Sequence, residues 1–319
     1  MPSGKATEFE LIARIRARVR DTDPALLVGI GDDAAVFMPT AGLALVTTTD
    51  SLVAGRHFHP EWPAADIGHL ALAANLSDLA AMGARPRWAL LSLTLPEADP
   101  AWLDAFLDGF LGLAEVSGTA LIGGNLAAGP LNLGVQLIGE VEPSRFARRR
   151  AARPGDCLLV TGCLGDAAAA LALGKSASDD LQQRLRRPEP RLAAGRILTG
   201  RVTSMVDISD GLLADLGHLL PEGLGAELDL ALLPASGALR AAFAAPDQRW
   251  PLQLAGGNDY ELLATARPDD VPGLVQALGG INLDLTEIGR VVGHGRIECR
   301  RPDGGLFEPI CMGWDHFGD

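Results

Sequence analysis

Four short acidic segments, each set among small or apolar residues, constrain this chain more than any other feature. They are Gly31-Asp32-Asp33-Ala34, Thr47-Thr48-Thr49-Asp50, Asn75-Leu76-Ser77-Asp78 and Asp207-Ile208-Ser209-Asp210, and none has a basic residue within it or beside it. A fold that gathers such carboxylates must place positive charge between them, because bare carboxylates repel. Hard divalent cations meet that need, since Mg2+ takes oxygen ligands and commonly bridges carboxylates to substrate phosphates. The segments therefore point to phosphoryl chemistry.

A chain of 319 residues is long for one hydrophobic core, so two domains are expected. The formal net charge of −13 argues against nucleic acid or an anionic membrane as the main partner. Only Arg145–Arg153 runs against that balance, as a solvated helix end, an interdomain loop or a phosphate contact. Cys157, Cys163, Cys299 and Cys311 show neither C-x-x-C nor zinc spacing, which suggests thiols of a reducing compartment. The N-terminus lacks the apolar core of a signal peptide. The apolar stretch 70–84 is interrupted by Asn75 and Asp78, so it is not a membrane span. A cytoplasmic protein is expected.

Periodicity predicts a mixed α/β chain. Thr7 and Glu10 form a capping box, with Phe9, Ile12, Ile15 and Val19 at helical spacing behind them and Pro24 and Gly29/Gly31 ending the element. Leu43–Thr48 reads as a strand that delivers Thr49 and Asp50 at its end. Asp66 can cap a helix to about Met82, on which Asn75 and Asp78 share a face. Trp88–Leu95 reads as a strand, Pro100–Ser117 as a helix, Gly123–Pro130 as a loop and Leu131–Val141 as a half-buried strand. Arg145–Arg153 followed by Pro154-Gly155-Asp156 marks a linker, so the domains are placed at 1–142 and 153–319. In the second, Cys157–Thr161, Ser204–Ile208, Glu261–Thr265, Leu285–Val292 and Arg296–Cys299 read as strands, with Ser209 capping a helix through His218. Single strands between helices alternate with neighbouring runs of strands, which favours mixed sheets.

Gly29-Ile30-Gly31-Asp32-Asp33-Ala34 fits a dinucleotide fingerprint, but Pro39 and Gly42 leave no helix to hold a pyrophosphate, and two carboxylates in the loop would repel it. Gly174-Lys175-Ser176 lacks the P-loop's first glycine, since Ala169 stands there, and reads as a helix end. His57 and His59 offer only two imidazoles, so His57 is a structural or substrate-contacting residue before it is a zinc ligand. Asp32, Asp66 and Ser209 could each serve simply as helix caps. Capping accounts for single residues, however, and not for Asp32-Asp33, Thr48-Thr49-Asp50 and Asn75/Asp78 together.

Taken in order, Gly29–Val36, Thr49–Phe58, Gly68–Pro86, Val206–Asp215, Gly256–Leu262 and Gly313–Phe317 resemble the thiamine-monophosphate kinases of the aminoimidazole ribonucleotide synthetase-like superfamily. The resemblance spans nearly the whole chain. It implies a two-domain α/β (α+β) fold with mixed sheets, the N-terminal sheets pairing across a homodimer. It implies ATP-dependent phosphorylation of thiamine monophosphate to thiamine diphosphate, assisted by several Mg2+ ions. Carried onto this chain, it makes Asp33, Thr48, Thr49, Asp50, Asp78, Asp207 and Asp210 metal ligands, with Asn125 in the place of a further one. Gly124, Asn125, Arg149 and Ser209 would meet ATP, while His57, Asn258 and Trp314 would meet thiamine phosphate. No catalytic side chain is expected, because a phosphate monoester with a second pKa of about 6 is already largely ionised at neutral pH.

Two positions depart from the resemblance. Asn125 stands where Asp is usual and can offer a carbonyl oxygen without the charge. Asn258 stands where Glu is usual. These departures keep two other functions open: a related ATP-dependent enzyme with a different small acceptor, and a paralogue that binds nucleotide or thiamine phosphate without turnover.

Overall fold

The computed structural model describes residues 6–19 and 23–314, so the last three residues of the Gly313–Phe317 motif lie outside the described residues. The chain forms two compact units. One contains residues up to Leu79 and Ala84–Pro143; the other contains Ala80–Gly83 and the residues from Ser144 on.

In the first unit, α1 (Glu8–Arg18), the short strands β1 (Leu26–Val28) and β2 (Val36–Phe37), and β3 (Ala44–Val53) come first. They are followed by α2 (Ala64–Ala81), β4 (Arg85–Leu95), α3 (Pro100–Ser117), β5 (Ala120–Ala128) and β6 (Asn132–Val141). The sheet order is β3-β6-β4-β5, with β4 and β5 parallel and the other pairs antiparallel. Alternation along β6 turns Leu133, Val135 and Leu137 into the core and leaves Asn132, Gly134 and Gln136 on the other face. α2 is apolar almost all round and correspondingly buried from Ile67 to Ser77 except at His69. It meets α3 where both helices are reduced to glycine. A Cβ at Gly68 would lie 2.0 Å from the Phe106 carbonyl oxygen, and one at Gly109 would lie 1.7 Å from that of Ala65. Asp99 caps α3 by accepting the N–H groups of Ala101 and Trp102.

The second unit contains β7 (Cys157–Thr161), α4 (Asp166–Leu173), α5 (Asp179–Arg186), α6 (Leu192–Leu198), β8 (Ser204–Asp207), α7 (Leu212–Leu219) and β9 (Gly225–Asp229). It continues with α8 (Gly237–Ala242), α9 (Pro246–Ala255), β10 (Leu262–Ala266), α10 (Val271–Gly279), β11 (Leu285–Val292), β12 (Ile297–Arg300) and β13 (Leu306–Phe307). Its sheet order is β13-β12-β9-β11-β7-β10-β8, parallel only between β12 and β9. β7 and β10 are buried at every position, and apart from Thr161 and Thr265 they carry only apolar residues. Leu158, Val160, Val206 and Leu263 pack towards α7 and α9, while Cys157, Leu159, Met205 and Ala264 pack towards α6 and α10.

The mixed sheets agree with the sequence; several boundaries do not. The Thr7–Glu10 capping box forms, but α1 stops at Arg18 rather than near Pro24. Its Phe9, Ile12 and Ile15 stripe does not enter the core. Leu11 is buried on another face, where Arg14 pairs with Asp104 of α3 at 2.8 Å and Arg18 pairs with Asp108, so that face is the anchored one. β3 runs five residues past Thr48, because its pairing with β6 continues through Val53↔Asn132. The glycine-rich stretch 123–128 is strand rather than loop, paired with β4 up to Leu95↔Ala128. Asp66 lies inside α2 rather than at its cap. Ser209 does not cap α7, whose first residue is Leu212 and whose cap position is Gly211.

Candidate functional site

Because successive side chains on a strand alternate faces, β3 cannot present Thr48, Thr49 and Asp50 together. Thr48 and Asp50 share the face towards α2. The Thr48 hydroxyl donates to Asp78 Oδ2 at 2.5 Å, and the Asp50 N–H donates to Asn75 Oδ1 at 3.1 Å. The three-residue spacing of Asn75 and Asp78 thus matches the two-residue spacing of Thr48 and Asp50 across one helix–strand contact. Asn75 is fully buried and donates back to the Ala71 carbonyl at 3.1 Å, which fixes which amide atom faces β3.

Thr49 faces the opposite way, its hydroxyl donating to the Val135 carbonyl at 3.1 Å. There it lines a cavity of about 1110 Å3 with Asp33, Gly124, Asn125 and Gln136. The outward apolar face of α1, with Phe9, Ile12 and Ile15, contributes to the same cavity. Asp33 is exposed, and its N–H donates to Asp32 Oδ1 at 2.9 Å, so Asp32 shapes the turn that holds Asp33 out. Gly124 is required by packing, since a Cβ there would lie 1.8 Å from the Leu91 carbonyl oxygen. The first unit therefore divides the sequence candidates into two groups. Thr48, Asp50 and Asp78 meet beside Asn75; Asp33, Thr49, Gly124 and Asn125 line the cavity.

His57 belongs to neither group. It lies in a turn after β3, where its Nδ1 accepts the Val53 N–H at 2.9 Å, leaving Nε2 as the protonated donor. His59 Nδ1 likewise accepts the Glu61 N–H at 3.2 Å. Both imidazoles serve their own turn.

In the second unit Asp207 ends β8, with only 3% of its surface exposed. The next residues, 208–211, form a loop held from every side. Asp215 Oδ2 accepts the N–H groups of Ser209, Asp210 and Gly211 at 3.0, 3.0 and 3.2 Å. The carbonyls of Ile208, Ser209 and Asp210 accept the N–H groups of Tyr260, Asn258 and Trp314, each at 2.8 Å. Asp207, Ser209, Asp210, Asn258 and Trp314 are thereby gathered around one loop. Arg149 is exposed on the segment beside β8, where the Met205 N–H donates to the Arg148 carbonyl at 3.2 Å.

Three acidic residues not marked by the sequence hold this region in place. Asp215 is the first. Burial pushes its carboxyl up to about 6, as does the charge of Asp210, against the pull of the three N–H groups. Asp259 is the second, partly buried against the start of α4, where it accepts the Gly165 N–H at 3.0 Å. Burial holds its carboxyl well above the ordinary carboxylate range. Its neighbours Asn258 and Tyr260 both take positive φ, 67° and 50°, a conformation Asn tolerates better than Glu. Glu261 is the third, buried with Arg191 and the Thr161 hydroxyl. The spacing Asp210–Asp215 could have signalled a helix-start carboxylate; nothing local distinguishes Asp259.

Comparison with known proteins agrees with this architecture. Residues 31–141 match the AIR synthase related protein N-terminal domain and residues 153–301 its C-terminal domain. The thiamine-monophosphate kinase of Escherichia coli (strain K12) is 42% identical, with 97% of this chain and 98% of the relative covered. The crystal structure of thiamine-monophosphate kinase from Stenotrophomonas maltophilia K279a superposes with a TM-score of 0.84 at 44% identity, covering 95% of this chain and 99% of that one. AaThiL complexed with AMPPCP and TMP gives a TM-score of 0.76 at 33% identity, covering 97% of both chains.

Proposed function

The chain belongs to the thiamine-monophosphate kinase family of AIR synthase related proteins, and from that membership we infer that it transfers the γ-phosphoryl group of ATP to thiamine monophosphate. A phosphate oxygen of thiamine monophosphate forms the new bond to the γ-phosphorus. The bond from that phosphorus to the bridging oxygen breaks, and ADP leaves with thiamine diphosphate as the other product. Phosphoryl transfer asks a protein mainly for positioning and charge neutralisation. The acceptor is ionised at neutral pH, its second pKa being about 6, so no side chain need act as a base.

The observation that carries the reading is the meeting of β3 and α2, where Thr48, Asp50, Asn75 and Asp78 present only oxygen and amide groups. Such a donor set suits Mg2+, which takes oxygen and not thiolate ligands. We assign Thr48, Asp50 and Asp78, Asp33 and Thr49 on the cavity side, and Asp207 and Asp210 of the second unit as the residues that would hold Mg2+. The bound ions would supply neutralisation of the phosphate oxygens. Asn125 would serve both metal and nucleotide through its carbonyl oxygen. Gly124, Arg149 and Ser209 would contact ATP. His57 through Nε2, Asn258, and Trp314 through its half-exposed ring would contact thiamine phosphate, an aromatic cation that suits an indole face.

Residues 1–142 would then be the ATP- and Mg2+-binding and dimerisation domain, with 153–319 the second domain. The outer face of β3 and the neighbouring short strands leave Leu27, Val36, Leu45 and Val53 at 60, 48, 50 and 39% exposure. A second copy of this chain would cover them by pairing N-terminal sheets. Leu45→Glu should release a monomer in sedimentation, and a wild-type monomer would refute the dimer. The cysteines are free among the described residues and no described helix is long and apolar enough to cross a membrane, in keeping with a cytoplasmic setting.

Incubation with ATP, Mg2+ and thiamine monophosphate should yield ADP and thiamine diphosphate in equal amounts. ADP without thiamine diphosphate would indicate another acceptor. Nucleotide binding without ADP would indicate a non-catalytic protein.

A further inference from the structure

We propose that Asp215 is a positioning residue for phosphoryl transfer: it fills an anion-binding loop with the protein's own carboxylate and so turns Ser209 and Asp210 towards the nucleotide. The inference rests on the kinase reading given above. Its basis is a complete set of hydrogen bonds for residues 208–211.

Three successive N–H groups pointing at one spot make a nest of the kind that binds phosphate or sulfate. Here Ser209, Asp210 and Gly211 form such a nest, but Asp215 Oδ2 already occupies it. The Ile208 N–H donates to the Glu261 carbonyl at 2.8 Å, and the Gly211 carbonyl accepts the Asp215 N–H at 3.0 Å. With the three carbonyls taken by Tyr260, Asn258 and Trp314, every backbone polar group from Ile208 to Gly211 is used inside the protein. The loop is left with its side chains to offer a ligand. Its neighbours also fit tightly. A Cβ at Gly257 would lie 2.6 Å from the Ser209 carbonyl oxygen, and one at Gly313 would lie 2.7 Å from that of Asp210.

This arrangement has a functional consequence. An open nest would draw a phosphate group onto the backbone and set its charge against the Asp210 carboxylate. The internal carboxylate closes that alternative and fixes the direction in which Asp210 and Ser209 project. Asp215 is 3% exposed, so it acts through the loop and not by touching substrate.

The test compares the full-length wild-type protein with Asp215→Asn and Asp215→Ala, by calorimetric binding of ADP with Mg2+, by melting temperature and by kinetics. Support for a metal-site ligand is typically worth about 10- to 100-fold, so each variant should bind Mg2+·ADP weaker by that factor. Formate should restore part of the binding to Asp215→Ala by re-entering the nest, and should leave Asp215→Asn unchanged. A merely structural role predicts a lower melting temperature with unchanged affinity and no response to formate, and that result overturns the proposal. If Asp215→Ala does not fold, the near-isosteric Asp215→Asn carries the test: unchanged Mg2+·ADP affinity overturns the proposal, and a 10-fold loss upholds it. Wild-type protein that binds Mg2+·ADP but leaves thiamine monophosphate unchanged refutes the acceptor and not Asp215. Wild-type protein that binds no Mg2+·ADP refutes both.

Discussion

Replacing Glu261 by Gln removes one charge from a buried ion pair and leaves the other behind. Glu261 and Arg191 are 2 and 8% exposed. The guanidinium donates to both carboxylate oxygens, at 2.7 Å from Nε and 2.5 Å from the terminal nitrogen, and the Thr161 hydroxyl donates a third bond at 2.7 Å. Stripping one partner from such a pair costs about 3–5 kcal/mol, most of it the stranded charge. Arg191 keeps a second partner in Glu189, whose carboxylate is 2.9 Å away and largely exposed, so the loss should fall near the lower end, about 3 kcal/mol. At 1.4 kcal/mol per factor of ten, that raises the opening equilibrium of the second unit about 100-fold. Hydrogen exchange on peptides covering β7 and β10 reads this directly, without assuming that two units unfold as one. The double variant Arg191→Met, Glu261→Leu strands no charge. It should lose only about 1 kcal/mol, chiefly because the Thr161 hydroxyl loses its acceptor. An acceleration below threefold for Glu261→Gln, or a double variant as unstable as the single one, would refute the reasoning.

Three further outcomes follow from the first unit. Gly109→Ala should destabilise it by about 1–3 kcal/mol through overpacking against Ala65, whereas Gly112→Ala on the same helix, with nothing within 4 Å, should stabilise it by up to about 1 kcal/mol; urea or thermal unfolding gives both signs. Burial alone would raise the Glu140 carboxyl, but the Thr40 N–H and hydroxyl and the Arg87 guanidinium outweigh it and hold it below the usual range. The associated stability is therefore fully present above the unfolded pKa of about 4.3 and is lost as the pH falls through the folded value, so exchange of the β6 peptide should accelerate below about pH 4 and Glu140→Gln should flatten that response. Asn125→Asp restores a charge to the cavity and should lower the Mg2+ concentration for half-maximal activity; an unchanged Mg2+ requirement would show that Asn125 does not weaken metal binding.

Apolar patterns carried most of the fold. The alternation Leu133, Val135, Leu137 and the largely apolar runs of β7 and β10 record burial on one face and on two. Where polarity or glycine interrupted the pattern, the sequence misled. Thr47–Ser51 looks like the end of a strand because all five residues are polar, yet pairing with β6 carries the strand to Val53. Gly123 and Gly124 look like a loop, but Gly124 records a close approach to the Leu91 carbonyl inside a sheet. The α1 stripe looks like core and instead lines a cavity, because buried Leu11 and the ion pairs to α3 fix another face.

The same reasoning separates two kinds of acidic residue that the sequence leaves alike. Helix capping was the simplest alternative for the acidic segments, and it makes a definite demand: the side chain must accept a backbone N–H at a helix start. Ser209 does not, since the nearby N–H groups go to Asp215. Asp66 lies within its helix, and Asp32 accepts from its neighbour in a turn. Backbone donors are instead satisfied by Asn75, the amide that opens its segment, and by Asp215 and Asp259, which lie outside the segments. A buried carboxylate with several N–H partners has a structural reason to be there. Asp33, held out over a cavity, has none of that kind, and neither has the Asp210 side chain on a loop whose backbone is already fully bonded. Structural demand is thus met by one set of residues, and the other set is the one proposed for ligand binding.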